Sequence, residues 1–113
     1  MIAAASDILD CIDAFAPWSL AEEWDNPGLL AGRPDREVRR VLCALDLTHG
    51  LLREARETGA DMLVLHHPIL FRPRRNLRED DPEGALLCEL VRSGLCLAAA
   101  HTNFDFAVDG VND

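Results

Sequence analysis

The chain has 113 residues, with 20 acidic and 11 basic side chains, a net charge of −9 and 49% apolar content. That is ordinary globular composition, which excludes a disordered low-complexity chain, and the acidic surplus argues against nucleic acid as a partner, because phosphate affinity rests mainly on Lys and Arg. All the basic residues are Arg, so lysine catalysis is excluded, and neither a membrane span of roughly 20 apolar residues nor a basic N-terminal leader is visible. The expectation is one α/β domain over 1–113 in a cytoplasmic protein with no membrane contact. The cysteines Cys11, Cys43, Cys88 and Cys96 show no C-x-x-C spacing and sit in apolar stretches, so they read as buried thiols.

Taken in chain order, Ser6 to Phe15 predicts a helix: Ile8, Leu9, Ile12 and Phe15 share a face, Ser6 or Asp7 caps it, and Pro17 stops it. Gly28 to Gly32 reads as a short strand between glycines. Val38 to Leu47 reads as a strand buried on both faces, because Val41 to Leu45 is an unbroken apolar run. Thr48 then caps a helix over Gly50 to Glu57 that Gly59 closes. Asp61 to Leu65 is a second strand, Pro82 to Arg92 a helix closed by Gly94, and Leu95 to Ala100 a third strand. Strand and helix alternate, which predicts a mainly parallel sheet with flanking helices. Phe71 to Asp81 is the long loop, with Arg72, Arg74, Arg75 and Arg78 followed by Glu79, Asp80 and Asp81; the arginines could recognise a phosphate group, but their acidic neighbours make a solvated, self-paired segment the favoured reading. Val108 to Asp113 looks like a turn feeding a further helix, which suggests a piece of a longer protein.

Ligands of open α/β sheets gather at the carboxyl ends of the strands. All four histidines fall there: His49 after the first strand, His66 and His67 after the second, and His101 after the third. Neighbouring residues in a regular strand face opposite ways, but at a strand end followed by Pro68 both rings can turn into one cavity. Asp105 or His101 from the adjacent strand end would complete a set of imidazoles and carboxylate that zinc, iron or manganese accepts. Asp46 reads as a helix cap or as a partner behind the ligands, and His49 as an exposed residue. Trp24, Asp25 and Asn26 read as a turn whose Trp packs on the core.

Four segments carry a resemblance: Leu20–Gly32 (Leu-Ala-Glu-Glu-Trp-Asp-Asn-Pro-Gly-Leu-Leu-Ala-Gly), Ala44–Thr48, Gly59–Phe71 with its His-His-Pro, and Ala100–Asp113 with His-Thr-Asn-Phe-Asp and Gly-Val-Asn-Asp. In order and spacing they resemble the GTP cyclohydrolase type-two-like family, also called the Ngg-interacting-factor-three-like family. The resemblance implies the N-terminal portion of an α/β fold with a dinuclear site for two divalent ions, assembled as a homo-oligomeric ring of six, or as a dimer for a fragment. It maps metal ligands onto His66, His67 and Asp105 and a catalytic residue beside the metals onto His101. The family's remaining ligands lie in a His-x-x-x-Glu motif that this sequence lacks, so half of the ligand set is missing. Pro27 and Asp109 depart from the family pattern without touching a ligand. Two functions stay open: a metal-dependent hydrolase acting on a nucleotide-like or small phosphorylated substrate, and a non-catalytic metal-dependent scaffold or regulatory module.

Overall fold

The computed structural model describes residues 2–107. A two-residue strand β1 (Ala3–Ala4) runs into helix α1 (Ala5–Phe15), and a 3-10 turn follows at Trp18–Leu20. The helix starts one residue earlier than its polar residues suggest; the Asp7 carboxylate accepts the Ala4 N–H at 2.8 Å instead of capping the turn ahead of it. Next come β2 (Gly28–Ala31), β3 (Glu37–Val38), β4 (Val41–Ala44), α2 (His49–Thr58), β5 (Met62–Leu65), α3 (Pro82–Ser93), β6 (Cys96–Ala99) and the single-turn α4 (Thr102–Asp105).

Four strands form one sheet in the order β2-β6-β5-β4. The pairs β4–β5 and β5–β6 are parallel, and β2 lies antiparallel on β6. The fold is therefore α/β with a mostly parallel sheet, as the alternation of elements predicts. Thr48 Oγ1 accepts the Leu51 N–H at 3.0 Å to cap α2, and Asp81 accepts the Gly84 N–H at 2.9 Å to cap α3. Gly59 and Gly94 close these two helices with φ of 72° and 74°, a conformation that costs glycine no side-chain clash.

Side chains alternate across the sheet with period two. Leu63, Leu65 and Leu97 meet Leu52 and Ala55 of α2 and Leu87 and Leu90 of α3 on one face. Met62, Cys96 and Ala98 meet Ala5 of α1 and Val38 on the other. Both faces of the central strands are thus covered, and each fully buried leucine contributes about 1.5–3 kcal/mol.

The first strand departs from the double burial expected of it. The segment divides into β3, which pairs with β1, and β4; between them the backbone N–H groups of Arg39 and Arg40 donate to the Asp61 carboxylate at 2.9 and 3.2 Å. β4 is the last strand of its sheet among the described residues, and Cys43 and Leu45 are exposed because α1 covers that face only as far as Val41. The cysteine expectation fails with it. Cys96 is buried, but Cys88 is half-buried and Cys11 lies on the outer side of α1. The further helix expected after Val108 lies outside the described residues.

Candidate metal centre

The two central strands deliver their histidines by different means. The regular pairing of β5 ends at Leu65, but the His66 and His67 N–H groups both still donate to the neighbouring segment, to the carbonyls of Ala44 and Leu45 at 3.2 and 2.9 Å, so the backbone bonding runs on through a bend. Pro68 has no N–H to continue it, and the chain turns. Beyond β6, Ala100 N–H donates to Leu65 at 2.9 Å, and the His101 carbonyl accepts the Asp105 N–H at 3.0 Å to form α4. This single turn brings Asp105 back beside the histidine ahead of it.

The rings converge. Ring centroids are 4.9 Å apart for His66–His67, 5.1 Å for His66–His101 and 5.8 Å for His67–His101. One ligand atom from each of the three lies within 4.8 Å of the other two. His66 Nε2 stands 2.9 Å from Asp105 Oδ1, and both side chains are about four-fifths buried. His67 Nδ1 stands 2.7 Å from Asp46 Oδ1, in a more open position. Carboxylate oxygens only accept, so a ring nitrogen donates in each contact, and a neutral ring then carries its lone pair on the other nitrogen.

The third contact is the best shielded. His101 Nδ1 donates to Asp25 Oδ1 at 2.9 Å, which leaves Nε2 as the open nitrogen. Asp25 Oδ2 accepts from both Thr102 N–H (3.0 Å) and Thr102 Oγ1 (2.6 Å), and its side chain has no exposed surface. Burial pushes the Asp25 carboxyl up, but the hydrogen bonds from Thr102, His101 and the Asn26 backbone outweigh it and hold the group at about 2. Asp25 is therefore ionised at neutral pH. The rest of the segment is tied in as well: Asn26 Nδ2 donates to Leu70 O at 2.6 Å, and Glu22 N–H to Thr102 Oγ1 at 2.9 Å.

The structure thus brings His66, His67, His101 and Asp105 to one place. Asp46 sits behind His67, in the supporting role that was one of its two readings, while Thr48 caps the helix. His49 is exposed and pairs with Glu89 away from the cluster. The arginine loop is partly self-paired, Arg74 with Asp81 and Glu83, and Arg78 with Asp80. Sequence reasoning passed over Asp25, whose local appearance is that of a turn residue; only its family segment singled it out. Trp24 does not pack on the core. It is 60% exposed and meets Phe71 and His101 edge-on.

The donor set fits a divalent cation. Imidazoles and a carboxylate are the ligands such ions take, and an ion held by His66 Nε2 and Asp105 Oδ1 would replace the proton that now joins these atoms across 2.9 Å.

A family model, Duf34/NIF3 (NGG1p interacting factor 3), matches residues 3–113. The chain belongs to this family. A GTP cyclohydrolase 1 type 2 homolog of Halalkalibacterium halodurans is 39% identical over 112 residues, covering 99% of this chain and 30% of that one. Another, of Clostridium perfringens, is 37% identical over 108 residues, covering 96% and 41%. Among solved structures, a Bacillus cereus protein related to NIF3 superposes with a TM-score of 0.94 at 36% identity, covering 99% of this chain and 31% of that one. Reduced HcgD of Methanocaldococcus jannaschii superposes with a TM-score of 0.90 at 36% identity, covering 100% and 45%. The chain therefore spans between 30% and 45% of the length of these relatives.

Proposed function

We propose that this chain supplies part of the site of a metal-dependent hydrolase, with His66, His67 and Asp105 holding a divalent ion (zinc, iron or manganese) and His101 acting beside it. The observation that carries the reading is the convergence of three imidazoles from two strand ends, with a carboxylate against each. A bound ion would supply Lewis acidity at a substrate oxygen. His101 takes up and returns a proton at Nε2, and the buried, ionised Asp25 holds its ring orientation through Nδ1. Asp46 orients His67, while Asp105 stands against His66 as its fellow ligand. The substrate class is a nucleotide-like or small phosphorylated compound, the class to which the relatives' name refers. Two ions, a cytoplasmic location and a homo-oligomeric assembly belong to the same proposal.

A specific observation favours a second reading, a metal-dependent scaffold or regulatory module. Cys43 and Leu45 form an open apolar surface with Phe104, directly beside His66 and His67. One experiment separates the two. Metal content is measured for the purified protein and a His66→Ala/His67→Ala variant, and GTP turnover is followed with and without chelator. Metal lost in the variant, with turnover that chelator abolishes, supports the hydrolase. Metal bound without turnover of GTP or other phosphorylated compounds supports the scaffold, and equal metal in both proteins removes the site.

A further inference from the structure

Beside His101 opens a cleft of about 720 Å³, within the roughly 300–1,000 Å³ of small-molecule sites. Its walls include Asp25, Phe71, Arg72 and Arg75. Two features of this cleft are unexplained by the metal cluster. The first is aromatic. Phe71 lines the cleft, and Trp24 lies outside that lining but against Phe71; Trp24 and Phe71 are 60% and 40% exposed, yet they are held against one another and against the His101 ring. Centroids are 5.8 Å apart for Trp24–Phe71, 6.3 Å for Trp24–His101 and 6.4 Å for Phe71–His101, all at interplanar angles of 82–87°. Edge-on contacts fix ring positions while leaving ring surface in water, an expensive exposure that a flat ligand relieves by stacking.

The second feature is cationic. Of the four arginines in the loop, Arg74 and Arg78 are bound by carboxylates, Arg74 by two. Arg72 and Arg75 have no such partner among the described residues and both are exposed at the cleft. A guanidinium presents a planar fork of donors that matches a phosphate group. The paired arginines also brace the loop, because Arg74 ties it to Asp81 and Glu83 at the start of α3. The two free arginines therefore stand on an anchored segment, one and four residues beyond Phe71.

From this juxtaposition we infer that the cleft is a binding subsite for a planar heterocycle carrying a phosphate, with Trp24 and Phe71 stacking on the ring and Arg72 and Arg75 taking the phosphate. The inference rests on the proposed hydrolase for the bond that is cut, and on the cleft alone for the molecule that binds. The reactive end of the ligand would face Asp25 and Phe71, the two cleft residues that touch His101 of the metal cluster.

Calorimetric titration of the full chain, stripped of metal with chelator, tests it with three probes: guanosine monophosphate, guanosine and inorganic phosphate. The nucleotide binds more tightly than either fragment by about tenfold or more, since it engages both features. Arg72→Ala/Arg75→Ala weakens nucleotide binding by about tenfold or more and leaves guanosine unchanged. Trp24→Ala, at an exposed position that preserves the fold by circular dichroism, weakens nucleotide and guanosine alike. No binding of the nucleotide, equal binding of nucleotide and guanosine, or nucleotide binding that survives the arginine substitutions overturns the inference. Because no metal or turnover enters the measurement, a failed hydrolase with intact nucleotide binding would leave the subsite standing. Binding lost in a working hydrolase would remove the subsite alone.

Discussion

Every histidine of this chain touches a carboxylate, and the contrast between two regions shows why that contact alone does not make a site. Along the outer surface of α2 and α3, His49 pairs with Glu89 and Arg92 with Glu79, with every side chain at least two-fifths exposed. At the carboxyl ends of β5 and β6, His66 and His101 meet Asp105 and Asp25 with at most about a fifth of each side chain exposed. Water competes for the outer pairs and screens them, so each is worth at most about 1 kcal/mol. The inner carboxylates have no such competitor, and Asp25 answers two donors of Thr102 besides its histidine. The outer pairs are also scattered, whereas one ligand atom from each of His66, His67 and His101 lies within 4.8 Å of the other two. Convergence distinguishes the candidate centre, and shelter adds to it at His66 and His101.

The contrast is broken most severely by removing Asp25. Asp25→Ala strands the Thr102 N–H and hydroxyl and frees the His101 ring, and the expected loss is about 2–3 kcal/mol in urea unfolding. Asp25→Asn should recover part of that loss, since its amide oxygen still accepts one of the donors. A loss below about 0.5 kcal/mol for Asp25→Ala would place this pair with the surface pairs.

Asp46 lies between the two regions, half-exposed yet bonded to His67. Asp46→Ala should leave stability within about 0.5 kcal/mol and weaken metal binding by about tenfold, the lower end of what lost orienting partners cost. Metal affinity unchanged in a competition titration would show that His67 needs no orientation from behind.

Much of this arrangement was legible in the sequence, for identifiable reasons. β5 and β6 lie centrally, so their residues are apolar without interruption, and Pro68 marks where the backbone bonding beyond β5 stops. Gly59 and Gly94 mark the helix ends because the backbone there takes a positive φ. β4 misled because an apolar run indicates burial only where something covers it, and Cys43 and Leu45 are exposed at the sheet edge. Asp25 misled for the opposite reason. Its partners lie 76 and 77 residues away, and no local pattern reports so distant a pairing. The resemblance supplied what periodicity could not, by placing Trp24-Asp25-Asn26 inside a family segment.

A smaller effect sharpens the outer half of the comparison. Asp81 accepts the Gly84 N–H and pairs with Arg74, and these two contacts hold its carboxyl below the usual 3.8. A depressed folded-state pKa means that the unfolded chain takes up the proton first. The stabilisation is therefore fully present above about pH 4 and is lost as pH falls through the lower folded value. Asp81→Asn keeps a good capping residue but cannot titrate. Thermal melts of the two proteins should converge as the pH drops from about 4 toward 2, with wild type ahead at neutral pH; a constant gap would mean that Asp81 acts as a neutral cap.

The smallest effect belongs to His49 and Glu89. Glu89→Gln removes one charge from an exposed pair, and the expected change in stability is within about 0.5 kcal/mol, shrinking further in high salt. Metal content should not change at all, because His49 lies outside the convergent set. If His49→Ala instead lowered metal content as much as the His66→Ala/His67→Ala variant does, convergence would not be what selects the ligands. The boundary between the two regions would then have to be redrawn around the start of α2, with His49 inside it.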